Sequence, residues 1–101
     1  MSKFIYLYKG PTTEMSEETG AAWGAWMGKV GSALADPGMP FGGGAVVVDN
    51  GSSAKNSNFT GYSIVEAADL AAAKALSEGQ PWLTGNDGQR SVEIFELVPM
   101  M

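Results

Sequence analysis

The side chains in this sequence that could recognise a small molecule are mainly aromatic. Tryptophan and tyrosine combine a large apolar ring with one polar group, which suits them to pockets for apolar or aromatic ligands. A periodic aromatic stripe on a helix also packs into the protein's own core, and this interpretation is the stronger one for Met27. We predict ligand-binding roles for Tyr6, Tyr8, Trp23, Trp26, Met27 and Tyr62.

Acid–base chemistry would have to use a carboxylate or a tyrosine, because the chain contains no histidine and no cysteine. The same absence excludes a disulfide scaffold, a thiol nucleophile, a Cys/His zinc site and a Ser-His-Asp triad. Glu66, at the end of a predicted strand, is the candidate catalytic base, although a carboxylate there can equally be solvated. Its electrostatic partner would be Lys9, Lys55 or Arg90. The spacing of the carboxylates does not indicate a metal site.

Two groups of glycines stand out. Gly42–Gly44 does not lead into a helix and no Lys-Ser/Thr pair follows it, so no nucleotide cofactor is indicated. Gly20, Gly24 and Gly28 recur at every fourth position of a predicted helix, where each costs about 1 kcal/mol of helix propensity relative to alanine. We expect another backbone or a flat ligand to approach this row closely.

Charge and length restrict the partners. The 101 residues include 11 Asp+Glu and 6 Lys+Arg, for a net charge of −5, and the basic residues are scattered singly. This distribution disfavours binding to nucleic acid or to an anionic membrane. No apolar run reaches the roughly 18 residues of a membrane helix, and no signal-peptide core is present, so we expect a soluble cytoplasmic protein. Residues 1–101 are predicted to form one domain.

The elements that must position these side chains follow the order β-α-β-β-α-β. This order predicts the ferredoxin-like α+β plan, a four-stranded antiparallel sheet with two helices on one face. Ser16 and Asp69 are the predicted helix N-caps. The predicted strands cover residues 3–9, 45–48, 59–66 and 91–98, and the predicted helices cover residues 15–34 and 70–78.

The first and last predicted strands are apolar on both faces. In the first, Phe4, Tyr6 and Tyr8 alternate with Ile5 and Leu7; in the last, Val92, Ile94 and Val98 alternate with Phe95 and Leu97. Helices cover only one face of the sheet in this plan, and a large exposed apolar patch usually marks an interface or a ligand site. We therefore expect a homodimer that forms through the uncovered sheet face.

Several motifs resemble the YCII-related proteins, and more closely their DGPF-type branch. They are FTGYSIVEA at residues 59–67, the following ADL with an alanine-rich helix, Pro81, SVEI at residues 91–94 and the ending LVPM. The resemblance covers nearly the whole chain and implies the dimeric α/β-barrel fold. It also implies a mostly uncharacterised family, in which a few members are small-molecule enzymes and some carry a His-Asp pair proposed as catalytic.

The chain departs from this family in two places. It has no histidine for the His-Asp pair, and the stretch around Trp23 and Trp26 stands where relatives can place an acid/base histidine. The Asp-Gly-Pro-Phe stretch is also absent, and residues 55–59 stand near its position. Three functions remain open. They are a dimer with an aromatic pocket for a small apolar or aromatic molecule, a lyase or isomerase that uses a carboxylate or tyrosine, and a non-catalytic assembly module.

Overall fold

A four-stranded antiparallel sheet organises the protein. The computed structural model describes residues 1–12 and 17–100. Its elements are β1 (Ser2–Lys9), α1 (Glu17–Val30), β2 (Leu34–Asp36), β3 (Phe59–Ala67), α2 (Leu70–Leu76) and β4 (Ser91–Leu97), with short 3₁₀ turns at Gly31–Ala33 and Pro81–Leu83. The strand order β2-β3-β1-β4 confirms the predicted ferredoxin-like α+β fold. The predicted N-cap Ser16 lies outside the described residues.

The core lies between the sheet and the two helices. From β1, Phe4, Tyr6 and Tyr8 face the helices and are buried, as strand alternation requires of residues two apart. Both helices add buried residues to the same cluster, Trp26 and Val30 from α1 and Ala73 from α2. The helices therefore share one face of the sheet, and none of the described helices lies on the opposite face, here called the outer face.

The two helices begin and end at recognisable residues. Asp69 caps α2, since its Oδ1 accepts a hydrogen bond from the backbone N–H of Ala72 at 2.8 Å, as predicted. Helix α1 ends at Val30, earlier than the predicted residue 34. The reason is Gly31, whose φ of +60° is the left-handed conformation that terminates helices. No helix in the described residues is both long and apolar enough to cross a membrane.

The predicted second strand at residues 45–48 is wrong. The strand in this place is β2, which pairs antiparallel with β3 through Leu34 and Val65, and an isolated bridge between Pro40 and Gly61 continues the contact. Residues 34–40 therefore occupy the edge of β3 that the valine run was expected to take. The valines lie instead in the long segment 41–58, where Val47 is 95% exposed.

The glycine row of α1 faces open space. A Cβ atom added to Gly20, Gly24 or Gly28 would lie more than 4 Å from every described atom outside the adjacent residues and the backbone of the same helix. The close approach expected at this row is therefore absent from the described part of the chain. The side of α1 that packs on the sheet is the aromatic one, where Trp26 is buried and Trp23 is half-buried.

Candidate functional site

An open cleft of about 340 Å³ lies at one end of the helix-covered face. Its walls come from β1, α1, β3, residues 37–40 and the turn at Pro81–Leu83. Large apolar side chains make up much of the lining, among them Tyr8, Trp23, Met27, Met39 and Trp82. A concave site with aromatic walls and few polar groups is the usual form of a pocket for a small organic molecule.

Four of the predicted ligand-binding residues line the cleft, namely Tyr8, Trp23, Met27 and Tyr62. The ring of Tyr62 nevertheless lies on the outer face, because Tyr62 pairs with Leu7 and alternates with the buried Gly61 and Ser63. The other two, Tyr6 and Trp26, do not line it. They lie in the core, with exposures of 0% and 3%, and backbone carbonyls of α2 accept hydrogen bonds from their polar groups. The hydroxyl of Tyr6 donates to Ala73, and Nε1–H of Trp26 donates to Leu76 at 3.0 Å.

The ring of Tyr8 is the centre of the aromatic wall. Its centroid lies 5.7 Å from that of Trp23 at an interplanar angle of 83°, and 5.9 Å from that of Trp82 at 62°. Edge-to-face pairs in this range are favourable because the positive edge of one ring meets the negative face of the other. The three rings therefore support one another's positions around the cleft.

The hydroxyl of Tyr8 belongs to a chain of hydrogen bonds behind that wall. Nε2–H of Gln80 donates to it at 2.7 Å, it donates to Oγ of Ser63 at 2.8 Å, and Ser63 donates to the carbonyl of Pro37 at 2.8 Å. This chain connects β1, β3, the segment after α2 and residues 37–40. Gln80 is fully buried, and its Oε1 has no hydrogen-bond partner among the residues that the structure describes.

Burial raises the pKa of Tyr8 above its ordinary value of 10.0, and the hydrogen bonds with Ser63 and Gln80 oppose part of this rise. A tyrosine with a raised pKa keeps its proton at neutral pH. Its single proton is directed at Ser63, so Tyr8 acts here as a fixed hydrogen-bonding group and not as a base.

Residues 37–40 form the wall beside β3. Gly38 has a φ of +78°, and a Cβ atom there would lie 1.6 Å from the carbonyl oxygen of Tyr62. Only glycine permits this approach. The ring of Tyr62 stacks on Phe41 with centroids 6.0 Å apart, and its hydroxyl donates to Oδ2 of Asp36 at 3.4 Å. This stack lies on the outer face, because Tyr62 alternates with the buried residues Gly61 and Ser63.

Arg90 brings a positive charge to the lining of the cleft. The central carbon of its guanidinium lies 5.0 Å from the ring centroid of Trp82, and its Nε–H donates to the carbonyl of Pro11 at 3.0 Å. Gly10 permits this arrangement, because a Cβ atom there would lie 2.5 Å from the backbone oxygen of Gln89. The guanidinium is therefore held in place on an aromatic face.

Glu66, the predicted candidate base, does not line the cleft. It pairs with Lys3 of β1 and alternates with the buried residues Val65 and Ala67, so it lies on the outer face. Among the described residues, no group of three or more potential ligands could hold a metal ion.

The fold and the cleft define a class of protein, a ferredoxin-like α+β domain with an open aromatic cleft at one end of its sheet. A family model of the YCII-related domain matches residues 1–98, so the chain belongs to the YCII-related family, as its motifs indicated. Searches of curated proteins and of solved structures found no match to this chain. Membership of the DGPF-type branch stays a prediction.

Three features of the site were missed in the sequence. Trp82 directly follows Pro81 and was assigned no role, although a tryptophan after a helix stop could have indicated a wall. Ser63 alternates with apolar residues in a strand, which gave no signal. Gln80 carried no signal either, because its role depends on contact with Tyr8, 72 positions earlier in the chain.

Proposed function

We propose that this YCII-related protein binds a small apolar or aromatic organic molecule in the cleft between α1 and the end of the sheet. The observation that carries the proposal is the set of rings around an open space of about 340 Å³, with Trp23 and Trp82 on either side of Tyr8. Burial of apolar ligand surface against such rings contributes about 25 cal/mol for each Å² removed from water.

Binding is favoured over catalysis by the polar groups of the cleft. Proton transfer needs a group of suitable pKa within hydrogen-bond reach of the substrate. Among the described lining residues there is no carboxylate, and the proton of Tyr8 is directed at Ser63. Glu66 lies on the outer face, away from the cleft. A lyase or isomerase based on these groups therefore has less support than a binding protein.

We further propose that the protein is a homodimer through its outer face. Ile5 lies between Ile64 on β3 and Phe95 on β4, which gives one apolar row across three strands. Phe95 is 51% exposed and Leu97 is 41% exposed. A second copy packed sheet to sheet would remove these side chains from water, which supports association of two identical faces.

The ligand proposal is tested by isothermal titration with 1-naphthamide, a neutral aromatic probe. We expect the wild type to bind it and Trp23→Ala to lose at least about tenfold in affinity, because one wall of the cleft is removed. Leu70→Ala is the matched control, since Leu70 is an exposed side chain of α2 that does not line the cleft. Equal affinities of Trp23→Ala and wild type contradict the proposal, as does a wild type that binds neither this probe nor its anionic counterpart 1-naphthoate.

The dimer proposal is tested by native mass spectrometry. The wild type should appear at twice the chain mass of 10.5 kDa, and Phe95→Glu should appear as the monomer because it places a charge in the proposed interface. Leu70→Glu adds the same charge on α2 and should leave the dimer intact. A monomeric wild type, or a Phe95→Glu dimer, contradicts the outer-face interface. The same spectrum would also show the added mass of any co-purified small molecule.

A further inference from the structure

We propose that the cleft selects organic anions, specifically aromatic carboxylates, and that Arg90 is the residue that selects them. The inference rests on the proposed function, because it assigns the class of ligand to the same cleft. Arg90 carries the only charge among the described lining residues, whereas the chain as a whole has a net charge of −5. A lone cation beside aromatic walls matches a ligand with an apolar body and one negative group.

The donors of Arg90 are available for such a group. Guanidinium has five N–H donors, and the hydrogen bond to Pro11 uses the one on Nε. Within the described part of the chain, its recorded partners are the carbonyl of Pro11 and the ring of Trp82, and no carboxylate forms an ion pair with it. No hydrogen bond recorded among the described residues uses the four N–H groups on its two terminal nitrogens, which have the bidentate geometry that arginine favours for a carboxylate.

The position of the guanidinium is fixed before a ligand arrives. The hydrogen bond to Pro11 and the contact with Trp82 hold it from two sides, so little side-chain entropy is lost when a carboxylate binds. Among the described residues, the carboxylate of Asp87 shares a neighbouring recess with Arg90, and its Oδ1 accepts a hydrogen bond from the backbone N–H of Gln89 at 3.0 Å. Trp82 lines the cleft beside Arg90, so an aromatic carboxylate can place its ring against the indole while its charge faces the guanidinium.

Two probes of the same shape test the charge preference. 1-Naphthoate and 1-naphthamide differ in the charge of one substituent, and isothermal titration of the wild type with each at low ionic strength measures the preference. We expect naphthoate to bind about tenfold more tightly, the gain typical of a charge-assisted hydrogen-bonded pair. Added salt should reduce the affinity for naphthoate more than that for naphthamide.

Substitutions at Arg90 assign the preference to this residue. Arg90→Gln should weaken naphthoate binding about tenfold and naphthamide binding by a clearly smaller factor, because only naphthoate loses a charge-assisted pair. Arg90→Lys keeps the charge but loses the planar bidentate donors, so it should retain part of the preference. Because naphthamide reports an intact cleft, a variant that fails to fold is recognised by loss of both probes, and Arg90→Lys then provides the second test.

The outcomes separate this inference from the proposed function. Equal wild-type affinities for the two probes overturn the inference and leave the proposed function standing. The inference is also overturned if the preference for naphthoate is as large in Arg90→Gln as in the wild type. If the wild type binds neither probe, the proposed function itself is contradicted.

Discussion

Two tyrosine–tryptophan pairs lie side by side on the helix-covered face and have different surroundings. Tyr6 and Trp26 are sealed in the core, with ring centroids 6.3 Å apart and polar groups bonded to the backbone of α2. Tyr8 and Trp23 lie two and three residues away along the same elements, with centroids 5.7 Å apart, and both line the cleft. The residue types are the same, so the difference arises from what covers each pair.

Helix α2 covers the first pair with continuous backbone, which leaves no space for a ligand. The second pair is bordered by the short turn Pro81–Leu83 and by residues 37–40, which leave the cleft open between them. Side-chain identity alone therefore does not define a binding site in this fold. The length of α2 and the position of the two bordering segments determine which aromatic pair borders an open cleft.

The largest expected effect is the difference in how much each pair contributes to the free energy of unfolding. Trp26→Ala should lower the free energy of unfolding by about 3–5 kcal/mol, because it leaves a cavity in the core. Trp23→Ala should lower it by about 2 kcal/mol or less, because Trp23 is only half-buried. Urea denaturation of both variants measures the difference. Equal losses would show that Trp23 is as firmly packed as Trp26 and would contradict the difference described here.

Gly38→Ala tests the wall on the cleft side. The new Cβ atom would collide with the carbonyl of Tyr62 and would require a positive φ, so we expect a loss of about 2–4 kcal/mol in the free energy of unfolding. The displaced wall should also weaken binding of 1-naphthamide. Thermal melts and titration measure the two effects. A variant with the stability and affinity of the wild type would mean that residues 37–40 do not border the cleft as described.

Tyr6→Phe tests the burial of the first pair through the pH dependence of stability. Burial, with a smaller contribution from Tyr8, raises the pKa of Tyr6 from 10.0 to about 12. Below pH 10 the wild type should be more stable than the variant by about 1 kcal/mol, the value of the hydrogen bond to Ala73. Between pH 10 and about 12 the unfolded state loses its proton before the folded state does, so this advantage should disappear.

Urea denaturation of the wild type and Tyr6→Phe at several alkaline pH values provides the measurement. Lysines also titrate in this range, but they are common to both proteins and cancel in the difference. A difference in stability that stays constant up to pH 12 would contradict the buried, protonated state of Tyr6.

Gly24→Ala has the smallest expected effect. Gly24 lies on α1 next to Trp23, but its Cβ position is open, so alanine should stabilise the protein by about 0.5–1 kcal/mol through helix propensity. Binding of 1-naphthamide should not change. Thermal denaturation and titration check both statements. Loss of stability or of binding would mean that the glycine row contacts a partner or ligand and that the cleft is not the only surface of α1 in use.

The sequence predicted the fold plan because strand alternation and helix caps are local signals. β1, β3, β4 and the cap at Asp69 are where patterning placed them, within one or two residues. The second strand was missed because Val46 and its neighbours have the composition of a strand, whereas the edge of β3 is taken by Leu34–Asp36, which follows a glycine turn. Two segments compete for the edge of β3, and the sequence of either one alone does not predict which of them pairs with it.

The candidate site was predicted in part for a similar reason. Periodicity located the aromatic side chains on the correct face but could not distinguish Trp23 from Trp26, since both belong to one helical stripe. Distinguishing them requires knowing where α2 ends relative to α1. Trp82 and Arg90 come from a turn and from the segment before β4, and only the folded chain brings them to Tyr8.

The most direct test of the account uses the three tryptophans as reporters within one molecule. Indole N–H resonances of Trp23, Trp26 and Trp82, assigned with single Trp→Phe variants, are followed by two-dimensional NMR during titration with 1-naphthamide. The account predicts that the resonances of Trp23 and Trp82 shift with one common affinity while that of Trp26 stays in place. Shifts of Trp26 as large as those of Trp23, or no shift in any of the three, would contradict it.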